Sequence, residues 1–298
     1  MIKITMIRAS DPLPADSGLK ILRSVAELRN YVKARRLNGQ SLSFVPTMGA
    51  LHDGHICLVR AGLQAADICI ASIFVNPAQF GPTEDYAAYP RTEEADLAAL
   101  EKAGAQAVFY PSIAEIYPQG FQTKVSVRDI TEPLEGRYRP GHFEGVSTVV
   151  CKLLLQVLPD RALFGEKDWQ QLQVIKRMVI DLNIPVEIIG VPTQRDEFGL
   201  ALSSRNAYLS APQLEVARRL NRILKEIAAQ VRARVAAPIC EAAAREMILH
   251  AGFSSIDYVA VVRGYSLRSA EAGDAPDDLR VIAAVHLDGV RLIDNVAV

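Results

Sequence analysis

Five short runs limit what this chain can fold into: SLSFVP (41–46), DICIASIFVNP (67–77), AVFYP (107–111), RALFG (161–165) and VEIIGVP (186–192). They are nearly continuous in apolar residues, without the polar alternation of a strand that has one wet face. Strands of that kind are buried on both sides. Between them lie stretches with helical spacing: HICLVRAGLQAA (55–66), EEADLAALEKAGA (93–105), GVSTVVCKLLLQVLP (145–159) and WQQLQVIKRMVIDLN (169–183). Parallel neighbours need long crossovers, and helices supply them with a right-handed connection. The expected class is therefore α/β, a Rossmann-like, doubly wound parallel sheet. Ahead of it, residues 1 to about 18 read as a loose lead-in, followed by a helix-like segment carrying Ile21, Leu22, Val25, Leu28 and Val32.

After Thr193 the texture changes. QLEVARRLNRILKEIAAQVRARVA (213–236) reads as one amphipathic helix and ICEAAAREMILHAG (239–252) as another. IDYVAVV and the final RVIAAVHLDGVRLIDNVAV read as strands, with Asp288-Gly289 as a hairpin turn. The expectation is a nucleotide-type domain over 1–193 and a smaller C-terminal α+β domain over 194–298.

Half of the 298 residues are apolar but only 6% aromatic, so a core of Leu, Ile, Val and Ala is expected. A formal net charge of -1 provides no general field for nucleic acid or an anionic membrane, and the arginine-rich helix is interleaved with acids. Cys57, Cys69, Cys151 and Cys240 are widely spaced in apolar contexts and read as buried, reduced thiols. No apolar run is long enough to span a bilayer and no secretory pattern opens the chain; a cytoplasmic location is expected.

The densest chemistry is VPTMGALHDGH (45–55), directly after the first of the five runs. His52 and His55 could bind a metal, but no third His or Cys stands near them in sequence. Packing alone is a weak account, because the pair straddles the turn dipeptide Asp53-Gly54. An anion site fits the context better: strand, glycine-containing turn, then a helix start whose unpaired N–H groups attract negative charge. Gly49 and Gly54 would let a phosphate approach the backbone, and the imidazoles would donate to its oxygens. The P-loop pattern GxxxxGK[ST] is absent.

MGALHDGH resembles the HIGH-type motif of the nucleotidyltransferase superfamily. Four further strings, FVNPAQFGPTEDYAAYPRT (74–92), RPGHFEGVSTVV (139–150), LFGEKDWQQL (163–172) and GLALSSRNAYLS (199–210), make the chain resemble the pantothenate synthetases from about residue 20 to its end. That resemblance implies an ATP-dependent ligase that condenses pantoate with β-alanine through a pantoyl adenylate, with Mg2+, usually as a homodimer. It implies an ATP site built from Met48, Gly49, Ala50, Leu51, His52, Asp53, Gly54 and His55, then Gly165, Glu166, Lys167 and Asp168, then Gln194, Leu202, Ser203, Ser204 and Arg205. His52, His55, Lys167 and Arg205 are the expected catalytic set; whether His55 passes a proton or only donates a hydrogen bond is open. The family commonly has methionine where Leu202 stands and an apolar residue where Gln194 stands.

The residue chemistry agrees. Lys167 is a mobile cation suited to triphosphate oxygens and Asp168 an acceptor for ribose hydroxyls, while SSR packs two hydroxyls beside a guanidinium. An isolated SSR is often only a helix cap. Asn76, Gln79 and Gln171 are neutral amides, able to orient a hydroxy acid without tying its carboxylate in an ion pair. By resemblance Gln79 and Gln171, with Asn76, bind pantoate; Gln79 also meets β-alanine; and Asp96 helps to place the metal. His142 reads equally as a pocket border or as part of a rigid loop, and 82–90 as a mobile gate. His250 and His286 read as structural. The alternatives to the ligase are another nucleotidyltransferase, which would leave a nucleotide conjugate, and an idle nucleotide-binding regulator.

Overall fold

The computed structural model describes residues 18–82 and 84–298; all but the last residue of the expected lead-in lies outside them. Six parallel strands form the main sheet: β1 (Lys20–Leu22), β2 (Leu42–Thr47), β3 (Ile68–Ile73), β4 (Ala107–Phe109), β5 (Arg161–Gly165) and β6 (Glu187–Val191), in the order β1-β4-β3-β2-β5-β6. Helices α1 (Val25–Leu37), α2 (Asp53–Ala65), α3 (Glu93–Ala103), α4 (Ile113–Ile116), α5 (Glu135–Tyr138), α6 (His142–Val157) and α7 (Trp169–Asp181) connect them. The strand order reverses beside β2: the chain first moves outward through β3 and β4, then returns to place β5 on the other side of β2. In doubly wound sheets ligands bind outside the carboxyl ends of the strands at such a reversal.

Both faces are covered, as continuous apolar strands require. Phe44, Ile70 and Phe164 face Val149, Leu153 and Ile175 of α6 and α7, whereas Val45, Ala71 and Leu163 face Leu58, Val59 and Leu100 of α2 and α3. Gly62 lets α2 lie close to the sheet, since a Cβ there would stand 2.9 Å from both Cys69 Sγ and Ser43 Oγ. All four cysteines are free thiols; Cys69, Cys151 and Cys240 are buried and Cys57 is half-buried.

Two expectations are corrected. Ile21 and Leu22 belong to β1, not to the first helix. Ser24 and Glu27 form a reciprocal capping box that starts α1 at Val25, leaving the preceding residues free to pair with β4. The long helix after residue 212 is two segments, α8 (Ala211–Ala217) and α9 (Arg219–Arg232), meeting at Arg218, whose guanidinium reaches Asp196 at 3.0 Å. Helix α10 (Ala237–His250) follows, then an antiparallel sheet of β7 (Ser255–Arg263), β8 (Leu279–Leu287) and β9 (Val290–Ala297). Asp288 and Gly289 turn β8 into β9 with φ of 47° and 87°, the left-handed pair of a two-residue hairpin.

This second layer has its own core, in which Ile223, Leu224 and Ile227 of α9 and Ile248 of α10 cover Val261, Val281 and Val285. A small cluster joins it to the first: Leu134 and Trp169 pack with Tyr258, Val262 and Ile282. Beside it the buried Glu135 carboxylate accepts from both terminal nitrogens of Arg291 (2.6 and 2.9 Å) and from Tyr258 Oη at 2.6 Å. Those hydrogen bonds and the Arg291 charge hold Glu135 down to about 2, against its burial. Asp257 bridges Arg291 to His286, so His286 is a structural member of this interlayer network.

Candidate active site

The VPTMGALHDGH turn lies at the carboxyl end of β2, at the strand reversal. It is fixed by an unexpected residue. Asp96, 3% exposed in the first turn of α3, accepts Ala50 N–H at 2.9 Å and Leu51 N–H at 2.8 Å, one on each carboxylate oxygen. Ala50 is left-handed, with φ of 49°, a strained position that these two charge-assisted bonds hold. Asp96 therefore anchors the turn and is not placed as a metal ligand. Among the described residues no group of three His, Cys, Asp or Glu side chains could hold a metal ion.

His52 is the N-cap of α2. Its Nδ1 accepts Gly54 N–H at 3.1 Å, and His55 Nδ1 accepts His52 N–H at 3.3 Å. Backbone N–H groups can only donate, so each Nδ1 is unprotonated and each neutral ring carries its hydrogen on Nε2. Burial, followed by the neighbouring His52 ring (repulsive only if protonated) and the Lys167 charge, pushes His55 down to about 3; burial and Lys167 also lower His52. Both rings are thus neutral Nε2–H donors at neutral pH, with centroids 4.1 Å apart. Gly54 has a specific job: a Cβ there would lie 2.8 Å from His52 Cε1, so the glycine makes room for the capping ring.

Beyond β5, Glu166–Asp168 form one short 3-10 turn leading directly into α7. Lys167 and Asp168 line a cavity of about 660 Å³ together with Ser203, Arg205 and Asn206. Among the described residues the Lys167 ammonium has no ion-pair partner, which leaves it available to an anion. The 194–202 hairpin closes through Leu202 N–H to Gln194 O at 2.9 Å, and a Cβ on Gly54 would find Leu202 Cβ at 3.8 Å. The two motifs, distant in sequence, therefore meet. Ser203 Oγ accepts Arg205 N–H at 3.3 Å as the cap of a short turn.

Glu84 and Asp85 also line the cavity. Asp85 pairs with Arg205 at 3.0 Å, and Glu84 takes a two-pronged contact from Arg139 at 2.6 and 2.8 Å. Arg91 bonds the carbonyls of Tyr86 and Tyr89, and Phe80 packs edge-on against both tyrosines.

Gln79 stands on a turn after β3 and is held from three sides. Asn76 Nδ2 donates to its Oε1 at 3.1 Å, its Nε2 lies 3.1 Å from Met48 Sδ, and His142 Nδ1 reaches its carbonyl at 2.9 Å. Asn76 itself is 1% exposed; it donates also to Gly145 O and accepts from Tyr117 Oη and Ala78 N–H. Its hydrogen bonds go to protein and fix it against Gln79. Gly145 permits this arrangement, because a Cβ there would stand 2.2 Å from Ala78 O. His142, held near 4 by burial and Arg139, belongs to the support of the pocket. Gln171, half-buried on α7, lines a smaller recess with His142, Lys167 and Asp168. His250 lies exposed at the end of α10, away from these groups.

Sequence reasoning did not pick out Tyr117, Arg139, Glu135, Asp294 or Asn295. Arg139 lies in a quoted motif and Asp294 and Asn295 in the quoted C-terminal strands, but none carries a local functional signal; their partners are mostly distant in sequence, up to 156 positions for Glu135 and Arg291.

A parallel sheet with an imidazole pair at its reversal and a cleft beside it that presents an unpaired lysine defines the class: a Rossmann-like nucleotide-binding protein of the HIGH-motif type. Comparison with known proteins narrows this. The Pantoate-beta-alanine ligase family model matches residues 20–297. A pantothenate synthetase of Paramagnetospirillum magneticum is 55% identical over 283 residues, covering 95% of this chain and 99% of the relative. The crystal structure of pantothenate synthetase from Thermus thermophilus superposes with a TM-score of 0.88 at 44% identity, covering 94% of this chain and 99% of that one. The pantoate-beta-alanine ligase from Francisella tularensis, complexed with beta-gamma ATP and beta-alanine, does so with a TM-score of 0.78 at 34% identity, covering 94% and 97%. The chain belongs to the pantoate–β-alanine ligase family.

Proposed function

We propose that this chain condenses pantoate with β-alanine at the expense of ATP. A pantoate carboxylate oxygen attacks the α-phosphorus, the bond to the bridging oxygen breaks, and pyrophosphate leaves with that electron pair. The nitrogen of β-alanine then attacks the acyl carbon, loses a proton, and AMP departs. No protein nucleophile takes part, so catalysis rests on placing the reactants and on charge stabilisation.

The observation that carries the reading is the pair of neutral Nε2–H donors at the strand reversal, with Lys167 beside them. His52 and His55 donate to phosphate oxygens as negative charge shifts toward the leaving pyrophosphate, and Lys167 and Arg205 balance it. With both rings neutral, His55 stabilises charge by hydrogen bonding and holds its proton throughout. Gln79, its amide polarised by Asn76, and Gln171 hold pantoate, and Gln79 meets β-alanine as well. Magnesium would enter with ATP as its counter-ion and would offset phosphate charge; among the described residues no group of three His, Cys, Asp or Glu side chains would hold it.

The described residues up to 193 form the nucleotide and pantoate domain, and 194–298 the smaller domain that brings the SSR loop. Two copies assemble as a homodimer. No helix among the described residues is long and apolar enough to cross a membrane, and a cytoplasmic site of action fits a small-molecule ligase.

The test supplies ATP and pantoate with or without β-alanine and follows pyrophosphate and AMP separately. Pyrophosphate release on pantoate alone, with free AMP appearing on adding β-alanine, is expected. His55→Ala should slow pyrophosphate release about 10²–10³-fold with the fold intact; near-normal release would overturn the assignment.

A further inference from the structure

The nucleotide loops of this enzyme are not held by the domain that carries most of them. Asn295, on β9 and 3% exposed, donates through Nδ2 to the carbonyls of both Glu166 (3.0 Å) and Lys167 (2.9 Å). Its Oδ1 accepts from Arg280 Nη1, and the Arg280 guanidinium lies 3.4 Å from the centroid of the Trp169 ring. Trp169 in turn donates through Nε1 to Gly264 O at 2.6 Å. The segment 166–169 is thereby gripped from the C-terminal sheet at two carbonyls, one ring face and one ring N–H.

The neighbouring residue holds the other loop. Asp294, also 3% exposed, takes both terminal nitrogens of Arg195 at 2.7 and 2.8 Å and Asn221 Nδ2 at 3.1 Å. Arg195 also bonds Gly199 O at 3.0 Å and Asn295 O at 3.3 Å, so the 194–202 hairpin that leads into Ser203 and Arg205 hangs on the same dipeptide. Every polar atom of the Asp294 carboxylate and the Asn295 amide is used.

We infer that Asn295 is a positioning residue for adenylation. It fixes the backbone of the Lys167 turn, and with Asp294 it sets the separation of the loops that carry Lys167 and Arg205. Lys167 is a flexible side chain whose reach depends on where its own carbonyl is pinned. Two buried N–H donors on consecutive carbonyls fix that backbone, and a misplacement of 1 Å can cost about 10²-fold in rate. Asn295 touches neither ATP nor the reacting atoms. This inference rests on the reading of Lys167 as an ATP contact.

The test uses Asn295→Asp and Asn295→Ser in the full-length enzyme, with Lys167→Ala as reference. Asp keeps the size and the Arg280 contact but has no N–H to give the carbonyls; Ser keeps one weak donor. Pyrophosphate release is measured against ATP, pantoate and β-alanine in turn, alongside thermal unfolding. We expect Asn295→Asp to raise the KM for ATP about tenfold and slow adenylation about 10–100-fold. Asn295→Ser should fall between it and wild type, and the KM values for pantoate and β-alanine should stay within twofold. Wild-type ATP kinetics in the Ser variant, or equal losses for all three substrates, would overturn the inference. If Asn295→Asp does not fold, the Ser variant alone decides. A Lys167→Ala enzyme with normal adenylation would sink the underlying site reading instead.

Discussion

Asp96→Asn separates two roles that the same residue could play. In the structure each carboxylate oxygen accepts one backbone N–H of the histidine-bearing turn, at 2.8 and 2.9 Å, in a site 3% exposed. Asparagine keeps one acceptor and turns the other oxygen into a donor, so one buried N–H loses its partner and faces another N–H. Leaving one buried donor unpaired costs about 1–3 kcal/mol, and the surviving bond loses its charge assistance, about 1 kcal/mol more. The total, about 2–4 kcal/mol, should lower Tm by roughly 3–6 °C in a chain of 298 residues. The strained left-handed Ala50 then relaxes, and the turn leading to His52 moves with it. Adenylation should fall about 10–100-fold. The assay is pyrophosphate release with saturating ATP and pantoate over a wide range of magnesium, paired with thermal unfolding. The loss should be the same at every magnesium concentration. An unchanged Tm, with activity restored by excess magnesium, would show Asp96 to be a metal ligand and refute the anchoring argument.

Two other outcomes follow from the same geometry. Gly145→Ala puts a Cβ 2.2 Å from Ala78 O, where contact needs about 3.2 Å, so α6 and the turn bearing Gln79 must part by about 1 Å. The KM for pantoate should rise at least tenfold with that for ATP unchanged; a change below twofold would contradict the close packing. Acid should destabilise the protein early. His55 and His142 titrate at about 3 and about 4 in the native state instead of 6.5, so below 6.5 the unfolded chain binds protons that the native state refuses. Their stabilisation is complete above 6.5 and drains away as pH falls through 4 and 3. Glu135, held at about 2 instead of 4.5, adds a further loss below 4.5. Thermal unfolding between pH 7.5 and 4.5 should show Tm declining from near pH 6.5, whereas a flat profile to pH 5 would count against the buried neutral rings.

Much was legible in the residues because it is local. Continuous apolar runs identify buried parallel strands, and glycine-bounded strand ends mark the places where ligands gather. The order of the motifs, helped by their likeness to a known family, located the imidazole pair, the lysine turn and the SSR loop. What misled the reading was also local. Ile21 and Leu22 fit a helical period, but the Ser24–Glu27 cap overrode it. Asp96 and Asn76 read from the sequence as a metal-placing residue and a pantoate ligand; in the structure their polar atoms bond the backbone and side chains of neighbouring turns.

By itself the sequence determined the α/β layering, the position of the HxGH turn and the chemistry of its side chains. These follow from the spacing of apolar residues and from functional groups that need no distant neighbour to be recognised. Only the tertiary structure decided that both imidazoles carry their hydrogen on Nε2, that Asp96 holds a strained turn, and that Asp294 and Asn295 tie the Lys167 turn and the 194–202 hairpin to the last strand. The reason is physical. A hydrogen bond's direction and a buried group's charge state depend on atoms brought within about 3 Å by the fold, and no local pattern records which these will be.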